Sequence, residues 1–487
     1  MNSLASASQP ALLATCLFIL LSSFRAQAQP VTEGDAGLPT TQAAAEPTSQ
    51  PADSQEPSGY RASRAISTGR SPEPVSYARP LSDWGEPAPK WLLMGIEQRT
   101  RYEYFDDNYQ ADLERDQPFL LRSRAYLGVQ DILDPLRLGV EFQDSREFNN
   151  EMPGTTSNVD ENDFLQAFAE LYFADALGPR EPLSFQVGRI AVDYVDRRLK
   201  SRNGFRNTTN AFDGFRLRAG DRDSKWELEA FAAQPVAIRQ LQPDRANEEQ
   251  WFYGIVGAWR GWAPLALFEP YYFILDQDNK GWDAADTELH TFGLHAYGDI
   301  GRSGFDYDLD AAFQCGKTDG LTHRAFATHA EVGYTFEHAW KPRVATWLNY
   351  AEGDHNPNDS VNETFNRLFG SSNRMYGILD YFIWSNMIQP SIGISAHPTP
   401  KTHLNAIYRA VWLASENDSW SRADRVDPTG QSGDFVGQEI DLFVEQRITD
   451  HCVFEIGYGH FMPGNFVRNT GDSPDSDRFY VQTTISF

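Results

Sequence analysis

The chain has 487 residues and a formal net charge of −26, because 68 Asp and Glu residues outnumber 42 Lys and Arg residues. This acidic balance argues against nucleic acid as a partner, since phosphate groups would be repelled. Beyond the N-terminal apolar run only Cys315 and Cys452 remain, on opposite halves of the sequence. We therefore expect neither a disulfide framework nor a thiolate metal site.

The N-terminal sequence is typical of a targeting segment followed by a polar leader. The apolar run Ala11 to Leu21 precedes Ala26-Gln27-Ala28, which predicts a signal peptide over residues 1–28, although no Lys or Arg precedes the run. Residues 29–90 are dominated by Pro, Ala, Ser, Thr, Gln and Gly, so we predict a disordered periplasmic leader. It is either a tether or a segment that docks on a periplasmic partner. No later segment offers about 18 consecutive apolar residues, so any membrane insertion requires a closed barrel.

From residue 91 to residue 487 the chain consists of eighteen alternating segments, for example Leu92–Tyr104 and Phe164–Phe173. Alternation of apolar and polar residues indicates strands with one face in each environment. Short turns, as at Asp134-Pro135, alternate with mostly longer polar loops, as at Gly353 to Asn386. This parity and the even strand number predict an antiparallel transmembrane β-barrel with its turns in the periplasm. A soluble β-sandwich has no physical reason to keep the parity.

The last ten residues support an outer-membrane location. Between Arg478 and Phe487, apolar and polar residues alternate strictly, and the chain ends on an aromatic residue. Such a strand resembles the last strand of bacterial outer-membrane barrels, which their assembly machinery reads. We therefore expect the bacterial outer membrane as the location, with lipid and that machinery as partners.

The faces of the strands predict a wet interior. In the segment Val436 to Ile448, one face is apolar and the other carries Glu439, Asp441 and Glu445. A charge at the bilayer midplane costs about 2–4 kcal/mol, so the charged face is expected to line the lumen. Eighteen strands enclose a water-filled channel rather than a packed core.

Three stretches resemble the alginate export family of outer-membrane porins. They are Gly188-Arg189 with the later Phe212-Asp213-Gly214-Phe215-Arg216-Leu217, then Tyr376-Gly377-x-x-Asp380, and finally Gly437-x-Glu439-x-Asp441. Ile190 stands where the family has Gln. The resemblance implies an eighteen-stranded barrel and, from the type member, passage of an acidic polysaccharide through an arginine-lined constriction.

Arginines are the expected pore residues, because a guanidinium binds carboxylates bidentately and stays charged. Leu183 to Arg218 contains eight basic against three acidic residues, the sizeable basic island of an acidic chain. Within it, residues 191–211 also carry Lys200, Arg202 and Arg206. The candidate pore-lining residues are Arg99, Arg101, Arg122, Arg124, Arg137, Arg189, Arg197, Arg198, Arg216, Arg218, Asp213, Glu439 and Asp441. The competing interpretation is that these arginines pair with lumen carboxylates in structural ladders.

The sequence thus predicts a channel for passive passage of an anionic polysaccharide or a related polar solute. A general or uptake porin for small solutes is the first alternative, and a plugged barrel with an adhesion or structural role is the second. We predict no enzymatic activity, because neither a nucleophile elbow nor zinc spacing is present, and we predict no cofactor. Asn158, Asp160 and Asn162 alternate like a calcium loop but lack its glycine and terminal glutamate, so we assign no metal.

Overall fold

The computed structural model describes residues 63–66, 89, 91–110, 113–151, 154–278 and 285–487. The predicted signal peptide and most of the predicted leader lie outside the described residues. No helix in the described part of the chain is long and apolar enough to cross a membrane.

Eighteen long strands form the fold, and each is antiparallel to the next. They are β1 (Leu92–Asn108), β2 (Phe119–Leu133), β3 (Leu136–Phe148), β4 (Asp160–Gly178), β5 (Glu181–Ile190), β6 (Phe212–Ala219), β7 (Trp226–Ala237), β8 (Gln250–Trp262), β9 (Ala266–Gln277), β10 (Thr287–Asp299), β11 (Phe305–Thr318), β12 (Leu321–Thr335), β13 (Arg343–Ala351), β14 (Met387–Thr399), β15 (Thr402–Trp412), β16 (Phe435–Thr449), β17 (Cys452–Pro463) and β18 (Ser476–Ser486).

The sheet closes on itself. Strand β1 pairs with β2 on one side and with β18 on the other, where Glu97 lies opposite Ser486 and Asp106 opposite Asp477. Closure leaves no free strand edge, which is the condition for a sheet to span a bilayer. The predicted eighteen-stranded antiparallel barrel is therefore confirmed. Some strands are longer than predicted: β4 starts at Asp160, because its pairing with β3 continues through Asp163 and Asp160, and it ends at Gly178, which pairs with Glu181 after a register shift.

Alternating burial separates the two faces of the wall. In β11, Leu309 and Phe313 point outward and are 41% and 43% exposed. Asp308 and Asp310, on the opposite face, are 1% and 2% exposed. The apolar face therefore meets lipid, and the charged face lines the interior.

The connections confirm the predicted parity with one exception. One end of the barrel, the turn end, carries the connections 134–135, 179–180, 220–225, 263–265, 300–304, 336–342, 400–401 and 450–451. The opposite end, the loop end, carries 109–118, 149–159, 191–211, 238–249, 278–286, 319–320, 352–386, 413–434 and 464–475. The exception is the two-residue connection 319–320, where Asp319 and Gly320 both have positive φ, as tight hairpin turns require. Short turns place the turn end in the periplasm.

Two loops fold into the barrel and pack there. The first inner loop (191–211) and the second inner loop (352–386) meet in a short parallel pairing, where Phe369 N donates to Leu199 O and Ser201 N donates to Phe369 O, both at 3.0 Å. The ring of Phe369 lies 4.9 Å from that of Phe252 in β8. Trp384 is fully buried and donates its indole N–H to Tyr350 O at 3.0 Å. The loop end of the lumen is therefore a packed aromatic core.

Candidate pore constriction

Arginines of β1 and β2 hold the tip of the first inner loop. Arg99 and Arg122 both donate to the carbonyl oxygen of Gly204, at 2.9 and 3.1 Å. Arg101 donates to Phe205 O at 2.5 Å, and its guanidinium lies 4.2 Å from the centre of the Phe205 ring. All three arginines are at most 4% exposed. The predicted pore arginines of these strands therefore anchor a loop inside the barrel.

Carboxylates on the same strands balance part of this charge. Arg122 pairs with Glu97 at 2.8 Å, and Arg101 pairs with Glu103 at 2.5 Å. Buried charges need such partners, because an isolated ion away from water is costly. The interpretation as structural pairing and the interpretation as a basic lumen both apply to this region.

Arg124 extends the same network toward β3. Its guanidinium donates twice to Gln143 Oε1, at 2.9 and 2.8 Å, and contacts the hydroxyl of Thr209 in the first inner loop. Gln143 in turn donates to Asp160 Oδ2 at 3.2 Å. A continuous polar chain thus links the loop tip to the start of β4.

Three further strand arginines of the candidate set, Arg137, Arg216 and Arg218, are paired along the inner wall. Arg216 makes a bidentate pair with Glu229, at 2.8 and 2.7 Å. Arg218 approaches Glu170 at 3.6 Å. Arg137 lies near the turn end, 3.5 Å from Asp131, with its guanidinium 3.4 Å from the centre of the Tyr172 ring.

Arg189 and Asp213 occupy a different place. They lie opposite each other in β5 and β6 and form a bidentate pair at 2.8 and 3.0 Å. Arg189 lies on the same outward face of β5 as the exposed Phe185, and Asp213 lies on the same outward face of β6 as the exposed Phe215. Both are near the loop end. This pair therefore sits on the outside of the wall, where the strands leave the membrane.

Two further candidates lie in the first inner loop. Arg198 is fully buried and pairs with Asp196 at 2.7 Å, while it donates to Asn349 of β13 at 3.2 Å. Arg197 is half-buried and has a φ of 73°. Arg198 thus fixes the loop to the far wall.

Glu439 and Asp441 of β16 hold the second inner loop. Leu379 N donates to Glu439 at 3.2 Å, and Ile378 N donates to Asp441 at 3.4 Å. Arg409 of β15 pairs with Asp441. These carboxylates therefore hold the second inner loop by hydrogen bonds, as Arg99 and Arg122 hold the first inner loop.

Three arginines from three loops converge where the two inner loops meet. Arg206 of the first inner loop, Arg367 of the second and Arg422 of the connection 413–434 are electrostatic neighbours, and each is partly exposed. Arg422 donates to Asp380 at 2.8 Å. Among the described residues, neither Arg206 nor Arg367 has a carboxylate within ion-pair distance. The cluster therefore holds three guanidiniums against the single nearby carboxylate of Asp380, and we call it the loop arginine cluster.

The pKa values of two of these loop arginines are lowered, first by burial and then by the charges of their neighbours. Burial, with the charges of Arg422 and Arg206, lowers the pKa of Arg367 to about 10. Burial and the charge of Arg422 also lower the pKa of Arg206, against an opposing influence of Asp380. Both groups stay protonated at neutral pH. The region therefore keeps a positive potential that an anion relieves.

Sequence reasoning placed Arg206 in the basic island but did not single it out, and it missed Arg367 and Arg422. Their signal was weak, because each lies in a long polar loop that carries only two arginines. Only the folding of these loops brings them together.

Two groups in the described residues have the side chains that metal ions prefer, with donor atoms within 4.8 Å of one another: Asp196, His295 and Asp308, and Asp160, Asp163 and Asp244. In the first group His295 lies 2.7 Å from Glu269 and 3.1 Å from Asp308, so its ring nitrogens are engaged by protein carboxylates.

Comparisons with known proteins agree with the barrel. The family profile described as alginate export matches residues 90–481. A search of curated protein sequences found no match.

Solved structures share the fold at low identity. Pseudomonas aeruginosa OpdK with vanillate has a TM-score of 0.56 and 10% identity, covering 81% of this chain and 98% of its own. Pseudomonas aeruginosa OccK11 (OpdR) has a TM-score of 0.55 and 11% identity, with 85% and 99% covered. Acinetobacter baumannii OccAB2 has a TM-score of 0.55 and 11% identity, with 81% and 98% covered.

Proposed function

The chain belongs to the alginate export family, and from this premise we propose that it is an outer-membrane channel for passive diffusion of anionic saccharides or related polar anions. The loop arginine cluster carries the proposal. It is the place where positive charge from Arg206 and Arg367 lacks a paired carboxylate among the described residues and remains partly open.

The anchoring arginines support this role indirectly. Arg99 and Arg122 fix Gly204 and Arg206 by their carbonyl oxygens, so the Arg206 side chain is presented from a held backbone. A site on a positioned backbone loses less conformational entropy when a solute arrives. The strand arginines thus position the loop, and the loop arginines contact the solute.

Sugar acids suit this arrangement chemically. A carboxylate accepts two parallel hydrogen bonds from one guanidinium, and a hydroxyl-rich solute tolerates a wet path. Conduction also requires release, and Asp380 beside Arg422 competes for the same guanidinium. A solute therefore exchanges with an internal carboxylate instead of being trapped.

A second candidate, uptake of small anionic solutes, is favoured by the packing of the loop end. The inner loops fill this part of the lumen with buried aromatic side chains, including Tyr376, Tyr381 and Trp384, each at most 1% exposed. A polymer passes only when these loops move, whereas a monomer needs less space. The length of the solute that blocks the channel separates the two functions.

The test is block of ion current by uronate oligomers in planar bilayers. Oligouronates should block the wild-type channel more strongly than neutral oligosaccharides of equal length. In the double variant Arg206→Gln/Arg367→Gln, the concentration for half block should rise about tenfold, as expected when one charge-assisted hydrogen-bonded contact is lost. Arg302→Gln, in the exposed turn 300–304, is the matched control and should leave block unchanged.

Equal block by neutral and acidic sugars would overturn the proposal. Block by monomers but not by longer chains would select the second candidate.

A further inference from the structure

Within the described residues of the leader, Ser63–Ile66 lies inside the barrel. Ser63–Ile66 lies against the inner faces of strands between β10 and β15. Its partners Asp299 and Glu331 are near the turns 300–304 and 336–342, so this is the turn end of the lumen. Ala65 and Ile66 are only 6% and 9% exposed. The segment is therefore buried against the inner wall of the barrel and does not lie on its rim.

Polar contacts attach the segment to acidic residues. Ile66 N donates to Glu331 Oε1 at 2.9 Å, and the Ser63 hydroxyl donates to Asp308. Arg64 pairs with Asp299 at 3.3 Å. Three donors of different kinds, a backbone N–H, a hydroxyl and a guanidinium, thus meet three carboxylates on three adjacent strands.

An apolar contact completes the seat. Ile66 packs with Ala345 and Trp347 of β13 and with Ile407 of β15. Trp347 is 2% exposed. Burial of an isoleucine side chain away from water is favourable, so Ile66 anchors the segment through its apolar contacts.

The wall that receives the segment is rich in carboxylates. We call it the acidic wall, and its members are Asp299, Asp306, Asp308, Asp310, Glu269 and Glu331. Three cations face it: Arg343 pairs with Asp306 and Glu331, His295 lies between Glu269 and Asp308, and Arg198 of the first inner loop is an electrostatic neighbour of Asp308 and Asp310. Negative charge remains in excess, and the leader brings a positive charge and hydrogen-bond donors to it.

We propose that Ser63–Ile66 is a tethered plug, which docks on the acidic wall and narrows the periplasmic mouth of the channel in a reversible way. The proposal rests on the proposed function only in requiring a conducting channel, and it is independent of the solute. Because only a few contacts hold the plug, a free peptide of the same sequence should compete with it for the acidic wall.

The experiment uses the full-length channel and a variant lacking residues 29–80, both in planar bilayers. Removal of the plug should raise single-channel conductance about twofold, since a wider mouth offers less resistance. A synthetic peptide of residues 60–69, at about 1 mM to match the effective concentration of a short tether, should restore the lower conductance from one side of the membrane only. A peptide with Arg64→Glu and Ile66→Asp is the matched control and should not.

Point variants of the full-length chain guard against effects of the deletion on assembly. Ile66→Asp places a carboxylate against Trp347 and Glu331 and should reproduce the open conductance. Arg302→Asp places a carboxylate in the exposed turn 300–304 instead and should behave as wild type. High salt should weaken peptide block, because Arg64 and Asp299 are 47% and 20% exposed.

The outcomes are distinguishable from those of the proposed function. Equal conductance in the full-length, deleted and Ile66→Asp channels would overturn the plug, while leaving block by uronates untouched. No conductance in any form would overturn both. Conductance that rises on deletion but does not respond to the peptide would also contradict docking at the acidic wall.

Discussion

Two sides of the lumen carry buried charges of opposite sign, and each holds a different segment of the chain. On β1 and β2, the buried arginines Arg99 and Arg122 donate to carbonyl oxygens of the first inner loop. On the acidic wall, Asp308 and Glu331 accept hydrogen bonds from the leader. One side is filled from the loop end and the other from the turn end. On each side the wall and the segment that it holds are complementary in hydrogen bonding.

The two occupants differ in how firmly they are held. The first inner loop has arginine anchors on two strands, a pairing with the second inner loop, and aromatic contacts of Tyr194 with Phe231 and of Phe205 with Tyr480. The segment Ser63–Ile66 has four residues, of which Ala65 and Ile66 are buried. We therefore expect the basic side to be a fixed constriction and the acidic side to be the exchangeable one.

The largest effect is expected from the replacement of Arg343, the arginine that pairs with two carboxylates of the acidic wall. Arg343→Gln leaves Asp306 and Glu331 without the guanidinium that now pairs with both, at 2.5 and 2.8 Å. Breaking a buried pair from one side costs about 3 kcal/mol. Urea unfolding in lipid vesicles, followed by tryptophan fluorescence, should show this loss. Arg302→Gln in the exposed turn 300–304 should show none, and equal stability of the two variants would contradict the assigned role of Arg343.

The next prediction concerns the crossing of the two inner loops. A Cβ at Gly370 would overlap the carbonyl oxygen of Arg198, so Gly370→Ala should part the loops and raise conductance about twofold. Gly204→Ala is the matched control, because nothing lies within 4 Å of a Cβ there. Single-channel recording checks both. An unchanged Gly370→Ala channel would mean that the inner loops do not limit the current.

The smallest effect is a pH dependence of the first inner loop. Lys200 is buried, donates to Val192 O at 2.8 Å and has its pKa lowered by burial to about 7. The unfolded chain holds this proton up to a pKa near 10.5, so the unfolded state binds more protons between pH 7 and 10.5 and stability rises with pH there. The slope is at most about 1.4 kcal/mol per pH unit. Lys200→Met should reduce the slope between pH 7.5 and 9.5, and an identical slope in both proteins would contradict the assignment.

Local patterns were sufficient to predict the barrel. Alternation sets the register of each strand, so Glu439 and Asp441 were assigned to the face opposite the apolar one before any contact was known. The alternation of short and long connections then set the even strand number and the orientation.

The contents of the lumen could not be predicted in this way. The contact of Arg99 with Gly204 joins residues 105 positions apart, and nothing in either segment encodes it. The loop arginine cluster depends on three loops turning inward together. The composition of the leader likewise gives no sign that Ile66 finds a buried seat beside Trp347.

The reversal potential of the wild-type channel in a potassium chloride gradient tests the central claim most directly. The loop arginine cluster predicts preference for chloride, despite the net charge of −26 of the whole chain. The preference should fall in Arg206→Gln/Arg367→Gln and in high salt, because screening acts over about 8 Å at physiological ionic strength. A wild-type channel that prefers potassium would contradict the account, since the acidic wall would then dominate the field of the pore.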